Sequence, residues 1–133
     1  MTVGQSAALP YRVVEGRVEV LLVTGRRSGD WIIPKGNVET DLGPARSAAK
    51  EALEEAGVVG RIGESPVGHY AYVKRGREHL VDVFELRVRQ EFDEWDERAQ
   101  RQREWVSVQE AMRRVTIKEL RDVIERLAMR VGR

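Results

Sequence analysis

The sequence predicts an α+β fold, on three observations. A strand segment rich in Val and Leu runs from Arg17 to Thr24, and Val67 to Lys74 and His79 to Arg89 alternate in the manner of half-buried strands. Helical periodicity without a breaker runs from Gly43 to Gly57 and again from Ile117 to about Arg130. Short glycine turns, Glu15-Gly16 and Arg75-Gly76-Arg77, join neighbouring strand segments as hairpins.

Taken in order, Ser6 to Val14 forms a first strand, in which Pro10 implies an edge or a bulge. Arg17 to Thr24 follows, then the polar loop Gly25 to Asp30 and a short strand, Trp31 to Pro34, feeding the glycine loop Pro34-Lys35-Gly36. After the helix at 43–57, Val58 to Glu64 is a short strand or turn. The two alternating strands come next, and Trp105 to Val108 is another short strand. Ser107 caps a helix over Val108 to Arg114, with Glu110 as its capping-box partner. Thr116 caps the last helix, whose Leu120, Ile124, Leu127 and Val131 make an apolar stripe.

The helix at 43–57 carries the chemistry. Pro44 sits near N1 and Gly57 at the left-handed C-cap position. Ala45, Ala48, Ala49, Ala52, Leu53 and Ala56 fall on one side, so the helix lies close to whatever it packs on. Glu51, Glu54 and Glu55 fall on roughly the opposite side, where like charges at i,i+3 and i,i+4 repel. A hard divalent cation turns that repulsion into coordination. The three glutamates alone are equally consistent with a solvated acidic face. The glycine loop ahead of them favours a metal, because it offers backbone carbonyls to the same place.

Composition bounds the rest. At 133 residues the chain is expected to form one domain, 1–133. Its 23 basic and 22 acidic residues give no whole-molecule field toward nucleic acid or membrane. With no cysteine, disulfides, thiolate catalysis and zinc-thiolate sites are excluded. No secretory pattern and no apolar run of roughly 18 residues is present, so a soluble, cytoplasmic protein is expected.

Residues 36–58 resemble the Nudix box: Gly, five residues, Glu, seven residues, Arg-Glu, an aliphatic, any residue, Glu-Glu, any residue, Gly, aliphatic. Gly36, Glu51, Glu54, Glu55, Gly57 and Val58 match at that spacing, and Glu39 is a common extra. Leu42 stands where the first glutamate belongs, Lys50 replaces the arginine, and Ala52 is a small version of the aliphatic. The resemblance implies an α/β/α sandwich around a central mixed β-sheet. It also implies a Mg²⁺- or Mn²⁺-dependent pyrophosphohydrolase whose ligands are Glu51, Glu54, Glu55 and the Gly36 carbonyl. Either Glu51 or Glu54 would orient or deprotonate the attacking water. Glu39 and Lys50 would support the ligands from behind. Leu42 and Lys50 together leave open a drifted box that binds a nucleotide without cleaving it.

Within the family, the chain is similar to the diphosphoinositol-polyphosphate and dinucleoside-polyphosphate phosphohydrolases, through Ser6-Ala7-Ala8, Trp31-Ile32-Ile33-Pro34 and the segment Glu94-Trp95 to Trp105. Substrate contacts are expected from Arg26, Arg27, Arg101 and Arg103, and from Trp95 as a stacking platform. A solvated hairpin tip for Arg26 and Arg27, and core or surface roles for the others, are the plainer readings; Trp105 reads as core. His69 and His79 carry no expected role. Relatives that cleave inositol polyphosphates have a basic pair before the first strand, where this chain has Gly4-Gln5. That difference points to a linear dinucleoside polyphosphate. An adaptor role for the Trp-Arg segment is the third possibility.

Overall fold

The computed structural model describes residues 2–132. The elements run β1 (Thr2–Val14), β2 (Arg17–Thr24), β3 (Trp31–Ile32), β4 (Lys35–Asn37), α1 (Gly43–Ala56), β5 (Val58–Ile62), β6 (Gly68–Lys74), β7 (Arg77–Glu91), β8 (Arg103–Ser107), α2 (Val108–Arg114) and α3 (Lys118–Val131). The strands form one mixed sheet in the order β3-β2-β1-β7-β5, with β4 paired to β1, β6 to β7 and β8 to β2. β1 and β7 run parallel and every other pairing is antiparallel. Both hairpins, β1–β2 and β6–β7, close on two residues with positive φ, Glu15-Gly16 and Arg75-Gly76. Those turns match the twist of the flanking strands.

Alternation along each strand divides the apolar residues between two cores. Ala7, Leu9, Val20, Leu22, Val81 and Val83 face α2 and α3. Ala8, Leu21, Val23, Phe84 and Leu86 face α1. The α1 side is filled by Ala48, Ala52 and Ala56 at zero exposure, so the helix backbone lies close against the sheet. Helices on both faces give the three-layer arrangement that the box implies. Among the described residues no helix is long and apolar enough to cross a membrane.

Several local expectations change. β1 is central rather than an edge, and Pro10 partners Leu86 in the β7 ladder. Ala8 N donates to Pro34 O. Two residues on, the missing N–H of Pro10 therefore faces the interval between β4 and β2, where no ladder partner is needed. The glycine loop is partly a strand, since β4 pairs with Gln5, Ser6 and Ala7. Ser107 caps α2 by accepting from Glu110 N, but the Glu110 carboxylate turns forward to Arg113 and Arg114. Thr116 does not cap α3. The cap residue is Ile117, which has no side-chain bond to offer, and Arg121 reaches back to the carbonyls of Val115 and Thr116.

Candidate active site

Helical geometry sorts the three glutamates more finely than a single acidic face. At about 100° per residue, Glu55 lies only about 60° from the direction of buried Ala52, Glu51 about 100°, and Glu54 about 160°. Glu55 is accordingly 5% exposed, whereas Leu53, expected on the apolar side, is 42% exposed. Leu53 sits about 100° from Ala52 on the side away from β4. Glu51 and Glu55 thus meet beneath the glycine loop, and Glu54 leans toward Lys50 at 3.8 Å.

Gly36 is the wall of this site. A Cβ there would lie 2.3 Å from Glu51 Oε2, so only glycine admits the carboxylate against the β4 backbone. Glu55 accepts a hydrogen bond from Lys35 N at 3.2 Å and lies 3.7 Å from the Arg101 guanidinium. Burial pushes the Glu55 carboxyl up to about 8, against the pull of Arg101 and with help from its hydrogen bond to Glu51. Burial also raises Glu51. A half-buried carboxyl group, Glu51, against a buried one, Glu55, beneath the β4 backbone fits a hard divalent cation, which would take the place of the proton that burial retains. Among the described residues no three carboxylate or imidazole side chains stand together at ligand spacing. The buried oxygens Ser6 Oγ and Tyr70 OH, without a partner among the described residues, both border this region.

The raised carboxyls have a consequence for stability. The folded chain holds a proton on Glu55 between the ordinary 4.5 and about 8, a range in which the unfolded chain has released it. Stability therefore falls as pH rises through that window. We expect the melting temperature in EDTA to drop by several degrees from pH 5 to pH 8, and Glu55→Gln to flatten the profile. A flat wild-type profile would contradict a Glu55 carboxyl raised by burial.

Glu39 and Lys50 meet each other. Lys50 Nζ donates to Glu39 Oε2 at 2.6 Å, and Ser47 Oγ accepts from Glu39 N at 2.9 Å. The loop is thus tied to α1 by Lys50–Glu39, with Leu42 taking no part in an ion pair.

The expected substrate residues separate into two groups. Arg26, Arg27 and Arg101 line a groove of about 390 Å³ together with Lys35, Tyr70, Tyr72 and Lys74. A second groove of about 540 Å³ shares Gly25 to Ser28 and Arg101 and adds Trp31 and Arg98. Arg98 is ion-paired to Glu94. Trp95 and Arg103 line neither groove; they hold the end of α1. Trp95 Nε1 donates to Glu55 O at 3.1 Å, Arg103 Nη1 to Ala56 O at 2.8 Å, and Glu97 N to Glu54 O at 3.1 Å. The Arg103 guanidinium covers the Trp95 ring at 3.8 Å. Three orphan carbonyls of the last helical turn are satisfied this way. Trp105 is half-buried against the α1 core, with Arg12 over its ring at 4.2 Å.

Sequence reasoning missed Lys35, Tyr70, Tyr72 and Lys74. Lys35 stood inside the glycine loop, read only for its glycine, and burial lowers its ammonium pKa. Tyr70 and Tyr72 had a signal: two residues apart on a strand, they share a face.

Glycine loop, buried carboxylates and a three-layer fold define a Nudix protein. The chain belongs to the Nudix family, whose domain model matches residues 5–127. It is 36% identical over 123 residues to "Nudix hydrolase 21, chloroplastic" of Arabidopsis thaliana, covering 88% of this chain and 62% of that protein. It is 37% identical over 112 residues to "Diphosphoinositol polyphosphate phosphohydrolase 2" of Rattus norvegicus, covering 82% of this chain and 60% of that protein. The chain thus spans about three-fifths of the length of these two relatives. A C. elegans Ap4A hydrolase in a binary complex shares the fold, with a TM-score of 0.77 at 20% identity and 97% of both chains covered.

Proposed function

We propose that this chain is a metal-dependent pyrophosphohydrolase that cleaves a phosphoanhydride bond of a linear dinucleoside polyphosphate. The observation that carries the reading is the Glu51 carboxylate packed on Gly36, on the same helix turn as buried Glu55, which accepts from Lys35 N of the same loop. Glu51, Glu55 and the Gly36 carbonyl would hold Mg²⁺ or Mn²⁺, with Glu54 following on the next turn. When bound, such an ion neutralises phosphate charge and lowers the pKa of water.

The chain's own residues do the rest. Lys35, Arg101, Arg26 and Arg27 bring positive charge to the phosphates. Of the two candidate bases, Glu51 stands at the Gly36 wall while Glu54 is engaged by Lys50, so we assign the proton of the attacking water to Glu51. Arg101 also balances Glu55 and donates to Thr24 O at 2.9 Å, which fixes its guanidinium at the mouth of the groove.

Two adjoining grooves that share Arg26, Arg27 and Arg101 suit a chain with a group at each end. Gln5 stands where inositol-cleaving relatives carry a basic pair, and it is occupied by Asn37 and by the Tyr72 hydroxyl at 2.6 Å. A diphosphoinositol polyphosphate is the second reading, favoured by the likeness to the rat protein. The test is a panel of nucleoside and inositol polyphosphates with Mg²⁺ or Mn²⁺, read by product chromatography. We expect dinucleoside polyphosphates with four or more phosphates to have the higher kcat/KM. A tenfold preference the other way, about 1.4 kcal/mol of transition-state binding, would replace the substrate and keep the reaction.

A further inference from the structure

A groove of about 970 Å³ opens elsewhere on the sheet, lined by Tyr11, Arg61, Arg87 and Arg89 and also by Glu64 and Glu85. Tyr11, Arg87 and Arg61 stand side by side on β1, β7 and β5. Tyr11 lies five residues along β1 from Ser6, which faces Gly36, so the groove sits roughly 17 Å from the catalytic wall.

The arginines are held in an arrangement that costs the bare protein. Arg61 and Arg87 are direct cross-strand partners, a like-charge pairing that destabilises a sheet. None of Arg61, Arg87 and Arg89 forms an ion pair among the described residues, whereas Glu85 is neutralised by Arg130. A bulge makes the register. The ladder passes from Val59–Gln90 to Gly60–Val88 and skips Arg89, and beyond it Arg61 lands opposite Arg87. Gly60 permits this, since a Cβ there would lie 1.9 Å from Arg87 O. Tyr11 supports the Arg87 guanidinium from 5.9 Å.

We infer that this groove is a second anion site, which binds a small molecule bearing several phosphates. Arginines on neighbouring strands, whose backbones lie about 4.8 Å apart, bring guanidinium forks to one groove, and each fork can bond a phosphate bidentately. The volume is that of a small-molecule site. A formal net charge of only +1 supplies no long positive track for nucleic acid. This inference stands apart from the proposed hydrolysis and does not depend on it.

The experiment is an NMR titration of the metal-free chain with tripolyphosphate, following backbone amides. Saturable shifts are expected at Gly60, Gly63 and Arg87. Arg61→Gln with Arg87→Gln should weaken that binding at least about tenfold. The unliganded double variant should melt no lower than wild type, because a like-charge pair has been removed. ATP binding as tightly as tripolyphosphate would show that phosphates alone are read; markedly tighter ATP would identify a nucleotide as the source. Shifts confined to Lys35 and Tyr72, shifts retained in the double variant, or displacement by a single-stranded RNA at lower concentration would each overturn the assignment.

Discussion

Glu51→Gln should lower kcat/KM for phosphoanhydride hydrolysis at least about a hundredfold, roughly 2.7 kcal/mol of transition-state stabilisation. The amide keeps the volume that Gly36 accommodates, so the β4–α1 contact survives. It removes the negative charge on which both the proposed proton transfer and the proposed cation would depend. Stability in EDTA should hold or rise, because burial already disfavours the Glu51 anion. Steady-state kinetics beside a thermal melt separate the two effects. Activity within a factor of about three of wild type would remove Glu51 from the chemistry.

Gly57→Val should cost about 2–5 kcal/mol of folding stability, the sum of a left-handed backbone penalty and an overpacked contact. Gly57 has φ +68, and a Cβ there would meet Arg103 Nη1 at 2.8 Å and the Trp95 ring at 2.9 Å. The new side chain would push apart the clamp that satisfies the Glu55 and Ala56 carbonyls. Gly43→Ala is the control. Its φ is +80, but nothing lies within 4 Å, so only the backbone term applies, about 1–2 kcal/mol. Urea denaturation of both variants measures the difference. Equal losses would mean that Trp95 and Arg103 do not grip the helix end as described.

How far the sequence reached depends on how local each feature is. The span of α1, its left-handed Gly57 end and its alanine face follow from residues within a few positions of one another, and all three are present. The strand segments were legible for the same reason, although β1 and β7 extend further through their parallel ladder, a pairing between distant segments. The candidate site was partly legible. Gly36, Glu51 and Glu55 come together, but the separation of Glu54 needed angles measured from the buried stripe rather than a single acidic face. Leu42 and Lys50 looked like a lost brace, yet Lys50 reaches Glu39 eleven residues away. Of the segment expected to contact substrate, Arg101 lines both grooves, whereas Trp95 and Arg103 hold the end of α1. The side chains of Trp95 and Arg103 donate to carbonyls of α1 some forty residues earlier, and no local pattern encodes such a partner. Lys35, Tyr70 and Tyr72 converge only after β1, β4, β6 and β7 have paired.

The claim on which the functional account rests is that Gly36, Glu51 and Glu55 share one divalent ion. A crystal soaked in Mn²⁺, with data collected for anomalous scattering, tests this most directly. A peak is expected at coordination distance from the Gly36 carbonyl and the carboxylates of Glu51 and Glu55, absent in Glu51→Gln. A chain that hydrolyses its substrate in Mn²⁺ while the peak lies elsewhere, or is missing from this place, would contradict it.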